Sequence, residues 1–279
     1  PDRGTIYYNA NTGRDANDIA RRHLFKVAVT APGPAQVTTG SEIEWNPVVT
    51  ADGRTLAYFS SSVRRPALPT VVGIGGGPPR LLAEDRIPAD FPSGQMVTPE
   101  SVIVRAPDGA QVHCQLFRPP ARSGTSSSAK HPAIVFVHGG PPRQMLLGWH
   151  YMFYYANTYA LNQYLASRGF VVLSVNYRLG IGYGHAFHYP DNAGVRGASE
   201  YQDVLAAGQY LQKRDDVDPA RVGIWGGSYG GYLAALALGR NSDVFAAGVD
   251  IHGVHRRQPS LLIAEAPRAL MDGRSEKVV

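Results

Sequence analysis

Residues 224–232 read IWGGSYGGY and contain the pattern Gly-x-Ser-x-Gly, formed by Gly226, Ser228 and Gly230. A serine hydroxyl is a weak nucleophile unless the backbone presents it to a base. A sharp turn from a strand into a helix presents the hydroxyl, and the crowding of that turn favours glycine at the flanking positions. The stretch therefore predicts a nucleophile elbow with Ser228 as its serine.

Strands and helices alternate around this elbow. The residues at 221–225 predict an apolar strand before it, and those at 232–238 predict an alanine- and leucine-rich helix after it. Further predicted elements are strands at 133–137, 171–175 and 246–251, helices at 151–167 and 198–214, and a hairpin of 101–105 with 111–117. Such alternation is typical of a mostly parallel sheet with helices on both faces, so we expect an α/β fold.

The first hundred residues contain an internal repeat. Residues 1–8 correspond to 51–58, an offset of 50 residues. Two more predicted strands correspond in the same order, 24–29 with 70–74 and 33–37 with 77–81. Repeats of about 40 to 50 residues with short strands and Asp-Gly-type turns are typical of propeller blades. A propeller needs about four to eight blades, so two blades predict the last part of a longer propeller. A β-sandwich is the alternative.

Composition narrows the class of protein. The 44% hydrophobic content supports buried cores, and the only cysteine, Cys114, excludes an internal disulfide framework. The net charge of +5 is mild, and the paired arginines are scattered along the chain, which disfavours a nucleic-acid partner. No uncharged apolar run approaches the roughly 18 residues of a membrane span. The chain begins at Pro1, so we expect its natural N-terminus to be missing, and the compartment (cytoplasmic, or periplasmic and secreted) stays open.

From about residue 131 to 255 the sequence resembles the prolyl oligopeptidase family of serine peptidases. The motifs that carry the resemblance are 138–141 (HGGP), 165–170, 176–178, 182–184, 218–221 and 226–231. They are most similar to the dipeptidyl-peptidase and acylaminoacyl-peptidase branches, in which a propeller precedes an α/β-hydrolase domain. The resemblance therefore implies the C-terminal blades of a β-propeller at 1–92 and an α/β-hydrolase peptidase domain at 93–279.

The same resemblance implies the roles of individual residues. Ser228 would attack the peptide carbonyl and form an acyl-enzyme, and the backbone N–H of Tyr229 would be the first oxyanion donor. The N–H of Gly140 would be the second donor. The imidazole of His138 is an alternative donor, and a purely packed histidine is an equal interpretation of that residue. No cofactor or metal is implied, the substrates would be oligopeptides, and a homo-oligomer stays open.

A triad also needs an acid and a histidine, which follow the serine in this fold in the order Ser, Asp, His. Only 51 residues follow Ser228, and each strand-plus-helix unit takes roughly 30 residues. His252 and His255 come directly after the strand at 246–251, too early for the catalytic loop. We therefore assign neither histidine and expect a truncated, inactive fragment. The remaining acid candidates are Asp243, Asp250 and Asp272. The resemblance fades after His255, which leaves the origin of 256–279 in doubt.

Two other functions stay open. An esterase or lipase shares the acyl-transfer machinery, and a non-catalytic scaffold can retain the elbow without a triad. The pairs His185/His188 and His252/His255 have metal-ligand spacing but lack a third ligand nearby, so we expect local packing instead. Asp203 and Asp218 are expected to have structural roles, inside a helix and in a turn.

Overall fold

The computed structural model describes residues 4–120, 130–194 and 198–255. The loop predicted at 121–130, apart from its last residue, and the stretch 256–279 with Asp272 lie outside the described residues. The chain divides into two compact units. The first contains the residues up to Thr98 together with Leu146–Leu161, and the second contains Pro99–Met145 and the residues from Asn162 onward.

The first unit contains two antiparallel sheets. One has the order β1-β2-β3 and the other β4-β5-β6-β7. The strands are β1 Thr5–Ala10, β2 His23–Ala28, β3 Ala31–Gln36, β4 Ile43–Val49, β5 Thr55–Ser61, β6 Leu68–Gly73 and β7 Arg80–Leu81, with short 3-10 turns at Ala16–Ala20, Glu84–Arg86 and Ser93–Gln95. Each segment of the repeat overlaps one of these strands, so β1-β2-β3 corresponds to β5-β6-β7, although the prediction at 77–81 reaches beyond the two-residue β7. Whether these sheets are propeller blades stays a prediction.

Side chains from both sheets form the apolar core of the first unit. Leu24 of β2 and Leu56 of β5 are fully buried in one cluster. A second cluster joins Ile43 of β4 to Leu146. The segment Leu146–Leu161 is also held by hydrogen bonds, such as the one from the hydroxyl of Ser61 to the carbonyl oxygen of Trp149 (2.6 Å). This segment therefore folds with the first unit, although most of the chain that flanks it does not.

A charged cluster lies inside the first unit. The imidazole of His23 is fully buried and hydrogen-bonds through Nδ1 to Glu44 (2.8 Å) and through Nε2 to Asp18 (3.0 Å). The guanidinium of Arg21 also contacts Asp18 (3.1 Å). Burial alone would lower the pKa of His23, but the two carboxylates outweigh burial and raise the pKa above its ordinary value of 6.5.

We predict that raising the pH destabilises the first unit through His23. A pKa that is higher in the folded state means that protonated His23 stabilises the fold below its unfolded pKa, and this contribution is lost as the pH rises through the folded pKa. The Tm of the first unit should therefore fall as the pH rises above about 6.5. Each kcal/mol lost lowers the Tm of a unit of this size by about 4 °C. Fluorescence melting in a Trp225→Phe background reports on this unit, because Trp45 and Trp149 both belong to it.

The control for this prediction is a pair of histidine variants. His23→Gln should have a lower Tm at pH 6 and a shallower decline toward pH 9. His185→Gln changes an exposed histidine outside the first unit, so its Tm should decline with pH as steeply as that of the wild type. An unchanged slope in His23→Gln would contradict the prediction.

The second unit contains a six-stranded sheet with the order β13-β12-β10-β11-β9-β8. The strands are β8 Glu100–Arg105, β9 Gln111–Phe117, β10 His131–Val137, β11 Val171–Asn176, β12 Val217–Gly227 and β13 Ala247–Ile251, and the helices of the chain are α1 Phe153–Ser167, α2 His185–His188, α3 Ser199–Gln212 and α4 Tyr229–Arg240. β10 to β13 run parallel, and the hairpin β8–β9 joins them antiparallel to β11. The predicted α/β alternation is confirmed.

The parallel strands lie in the centre of the apolar core of the second unit. Every residue of β11 is buried, and fully buried side chains of α3 and α4, such as Val204 and Leu233, pack in the same cluster. Parallel strands end at the same edge of a sheet, and ligand sites in such folds lie at that carboxyl edge. No helix in the described ranges is long and apolar enough to cross a membrane.

Candidate active site

Ser228 lies at the junction of β12 and α4. Its φ of 57° and ψ of −119° are outside the helical and extended regions that L-residues prefer. Its N–H donates to the carbonyl oxygen of Ile251 (2.9 Å), and its own carbonyl accepts from the N–H of Tyr232 (3.0 Å). Every other residue in 224–238 is buried, whereas Ser228 is half-buried. The strand, strained turn and helix thus present one hydroxyl at the carboxyl edge of the sheet.

The glycines of the elbow allow it to pack directly on β10. A Cβ atom on Gly226 would lie 2.5 Å from the carbonyl oxygen of Val137, and one on Gly230 would lie 2.2 Å from the same oxygen. A Cβ atom on Gly139 would lie 2.5 Å from the carbonyl oxygen of Gly227. Contacts this short exclude any side chain, so glycine at these positions brings the end of β10 and the loop after it against the elbow.

The structure brings three of the predicted site residues to the same place. Tyr229 is the first residue of α4, and its N–H belongs to the helical turn whose amides have no acceptor within the helix. Gly140 lies in the loop after β10 with a φ of +48°, a conformation that favours glycine. A Cβ atom on Gly139 would lie 3.0 Å from the Cβ of Ser228. The start of α4 and the glycine loop therefore both lie beside the serine.

His138 is a fully buried residue of the same loop. Its ring stacks on Tyr177 (centroids 4.3 Å apart), and Nδ1 lies 3.2 Å from the carbonyl oxygen of Gly139. Burial, together with the nearby charge of Arg143, lowers the pKa of His138 to about 4. The ring is therefore neutral near pH 7 with a single N–H. Because a carbonyl oxygen only accepts, a hydrogen bond to Gly139 assigns that N–H to Nδ1.

Glu200 is a site residue that the sequence reasoning missed. Its side chain is fully buried, and it accepts a hydrogen bond from the phenol of Tyr229. The spacing of apolar residues along α3 could have identified Glu200 as a buried residue. Glu200 occupies the same face of α3 as Val204, Ala207 and Leu211, which are all fully buried. An acid on the apolar face of a helix indicates a buried polar partner.

Asp250 and His255 form a second pair that the sequence reasoning did not anticipate. Nε2 of His255 hydrogen-bonds to the carboxylate of Asp250, whose other oxygen accepts from the N–H of Gly253 (2.7 Å). A Cβ atom on Gly231 would lie 2.2 Å from Asp250, so the pair lies against the first turn of α4. The structure thus brings an acid and a histidine next to the first turn of α4.

The histidine pairs with metal-ligand spacing make other contacts. Within the described ranges, no group of three or more His, Cys, Asp or Glu side chains is arranged to hold a metal ion. His188 instead hydrogen-bonds through Nδ1 to the carbonyl oxygen of Leu179 (2.9 Å), and His255 to Asp250. The expected structural roles of Asp203 and Asp218 agree with their contacts: Asp203 binds Arg178, and Asp218 accepts a turn hydrogen bond.

Comparison with known families identifies the segment around the elbow. The sequence model of the prolyl oligopeptidase family matches residues 157–266, a range that contains α3, Ser228 and α4. This segment is similar in sequence to the prolyl oligopeptidase family. The match continues past His255, where the motif resemblance ends, so the family resemblance includes the first part of the stretch whose origin the motifs leave in doubt.

Named relatives and solved structures agree with this family. Dipeptidyl aminopeptidase BIII of Pseudoxanthomonas mexicana is 38% identical over 133 residues, which cover 48% of this chain and 18% of that protein. Dipeptidyl peptidase 4 of Porphyromonas gingivalis superposes with a TM-score of 0.72 at 21% identity, over 90% of this chain and 34% of that one. Acylaminoacyl peptidase of Pyrococcus horikoshii superposes with a TM-score of 0.67 at 22% identity, over 90% and 36%.

These matches differ in what they show. The two structural matches are below 25% identity and show the fold, the α/β-hydrolase fold of prolyl oligopeptidase-family proteins. The chain spans about a fifth of the length of the curated relatives it matches.

Proposed function

We propose that this chain carries the nucleophile of a serine-type peptidase that hydrolyses short peptides through an acyl-enzyme at Ser228. The observation that carries the proposal is the elbow, where a strained, half-buried serine stands between a buried parallel strand and a helix start. The family of residues 157–266 supports peptides as the substrate class over simple esters.

The backbone N–H groups of Tyr229 and Gly140 are our proposed oxyanion donors. Tyr229 follows the nucleophile at the helix start, and Gly140 lies in the loop that packs on the elbow. We prefer Gly140 to the ring of His138 as the second donor. The single N–H of neutral His138 faces the carbonyl oxygen of Gly139, so its Nε2 has no proton to donate.

The acid and base of the triad are not assigned among the 279 residues. We propose that the chain alone is inert toward peptides, because Ser228 without a base is a weak nucleophile. Asp250 and His255 are the alternative within the described residues, since they are hydrogen-bonded to each other beside α4. Removal of His255 distinguishes the two possibilities.

We further propose that residues 1–92 are the last blades of a β-propeller and that 93–279 form the hydrolase domain. The equivalent strand order of the two antiparallel sheets supports this interpretation. A propeller before the hydrolase domain would restrict entry to oligopeptides, as the resemblance implies. Whether the enzyme releases dipeptides, single residues or acylated residues is a property of the whole protein.

The test is labelling by a fluorophosphonate probe, which reacts with an activated serine. We expect labelling of the protein in its natural length, no labelling of its Ser228→Ala variant, and no labelling of the 279-residue chain. Absence of labelling in the natural-length protein would refute the peptidase and favour a scaffold. Labelling of the 279-residue chain that is lost in His255→Ala would identify the Asp250–His255 pair as the base and refute the inertness.

A second measurement separates a peptidase from an esterase. The natural-length protein should cleave a short peptide amide with a kcat/KM at least comparable to that of a matched simple ester. Turnover confined to the ester would overturn the peptide assignment and retain the acyl-enzyme, because the two substrates share that step.

A further inference from the structure

We propose that Glu200 is a positioning residue that fixes the orientation of the Tyr229 backbone N–H by holding the phenol of the same residue. The proposal rests on the proposed function, in which that N–H stabilises the oxyanion. Through Tyr177, the same buried network also holds the loop that bears Gly140. One network would therefore align both oxyanion donors.

Glu200 has the contacts that such a role needs. It lies in the first turn of α3 with no exposed surface, and its carboxylate accepts from the phenol of Tyr229. The N–H of Gly194 lies 3.2 Å from one carboxylate oxygen and 3.1 Å from the other. No ion pair involves Glu200 in the parts of the chain that the structure describes. The free-energy cost of burying this carboxylate is therefore offset by hydrogen bonds from neutral donors, and the phenol of Tyr229 is one of these donors.

The phenol of Tyr229 is a permanent donor in this pair. Burial, and then the charge of Glu200 and the hydrogen bond to it, raise the pKa of Tyr229 well above its ordinary value of 10.0. The hydroxyl consequently keeps its proton near neutral pH and can donate to Glu200. The side chain of Tyr229 is only 5% exposed, so it has no alternative water partner of similar quality.

Tyr177 connects this pair to the second donor segment. Its ring lies parallel to that of Tyr229, with the centroids 6.3 Å apart and the planes at 21°. On the other side, its ring stacks on His138 and its hydroxyl donates to the carbonyl oxygen of His138 (2.7 Å). His138 is two residues before Gly140. A shift of the Tyr229 ring would therefore disturb Tyr177 and, through it, the glycine loop.

The role predicts a specific kinetic effect. An oxyanion donor contributes about 100- to 1,000-fold to turnover, and a misplacement of about 1 Å can cost about 100-fold. Loosening Tyr229 without removing its N–H should therefore lower kcat by about 10- to 100-fold. KM should change by less than about twofold, because the donor acts mainly in the transition state.

The experiment compares three variants. Tyr229→Phe removes the hydroxyl alone, and Glu200→Gln weakens the acceptor. Tyr201→Phe is the matched control, because it removes a buried tyrosine hydroxyl that donates to Asn241 (2.7 Å) at the other end of α4. kcat and KM are measured on the natural-length protein with a peptide substrate. Amide ¹⁵N relaxation of Tyr229 is measured on the 279-residue chain.

The relaxation measurement does not need a reactive serine. We expect the order parameter of the Tyr229 amide to fall from about 0.85 to about 0.6 in Tyr229→Phe and Glu200→Gln and to stay near 0.85 in Tyr201→Phe. An unchanged order parameter in both test variants would refute the positioning role, even if the natural-length protein proved inactive. A loss of kcat in Tyr201→Phe as large as in Tyr229→Phe would also refute it, because it would show that any lost hydrogen bond of α4 suffices.

Discussion

Gly230→Ala is expected to lower the free energy of unfolding of the second unit by about 3 kcal/mol and the reactivity of Ser228 by at least about 100-fold. Alanine is normally the better helix residue, by about 1 kcal/mol. Here its methyl group would lie 2.2 Å from the carbonyl oxygen of Val137 and 2.7 Å from that of His138. Both obstacles are backbone atoms, so no rotamer change relieves the collision.

The collision should move the elbow rather than β10. The residues of β10 are held by parallel pairing with β11 on one side and β12 on the other, whereas the elbow is a turn. Displacing the elbow moves Ser228 away from the loop that contains Gly139. The loss of reactivity should therefore exceed what partial unfolding alone explains, and fluorophosphonate labelling of the natural-length protein measures it.

The matched control for Gly230→Ala is Gly223→Ala, a substitution in β12, the strand that leads into the elbow. A Cβ atom on Gly223 would lie 3.4 Å from its nearest neighbour, the carbonyl oxygen of Ala247, which is an ordinary contact. Gly223→Ala should therefore change stability by no more than about 1 kcal/mol. Native-state hydrogen exchange of β10 reports the unfolding free energy of this unit. Equal effects of the two substitutions would show that the predicted collision is relieved at little cost.

The elbow was predictable because its causes are local. The sterics of a strand-to-helix turn act within a few residues, so Gly226, Ser228 and Gly230 were recognisable without any knowledge of the rest of the fold. The apolar runs of β10 and β11 were predictable for the same reason, and the structure extends them by no more than two residues at any end.

Other features depend on partners far along the chain. β12 begins at Val217 rather than at 221, because Val217 pairs with His131 at the edge of β10 before a register shift. β4 was not predicted, since its Asn and Pro interrupt the strand pattern. The packing of Leu146–Leu161 with the first unit depends on contacts such as Leu146 with Ile43. No local pattern encodes such a contact.

The side-chain partners of the candidate site show the same limit. Glu200 and Tyr229 are 29 residues apart, and only the packing of α3 against α4 brings them together. Periodicity could mark Glu200 as core-facing, but it could not identify its partner. Asp250 and His255 are close in sequence, yet their hydrogen bond depends on the turn after β13, in which His252 has a φ of 44°.

Asp203 is predicted to be the acid whose removal most destabilises the second unit. Its carboxylate is fully buried in α3 and accepts from the backbone N–H of Arg178 (2.7 Å) and from its guanidinium (2.6 Å). Asp203→Asn removes the charge but keeps the size. The buried guanidinium then loses its main counter-charge, which we expect to cost about 3–5 kcal/mol. Asp218→Ala is the control, because Asp218 supports an exposed turn and should cost less than about 0.5 kcal/mol.

A double-mutant cycle decides whether the cost belongs to the pair. Arg178→Met alone would leave the carboxylate of Asp203 buried without a cation, so it should also cost about 3–5 kcal/mol. Asp203→Asn combined with Arg178→Met removes both charges and should cost clearly less than the sum of the single variants. Arg178 also contacts Asp108, at the turn of the hairpin β8–β9, so some loss should remain in the double variant. Strict additivity would mean that Asp203 and Arg178 stabilise the unit independently, and the cluster would then be two separate contacts rather than one ion pair.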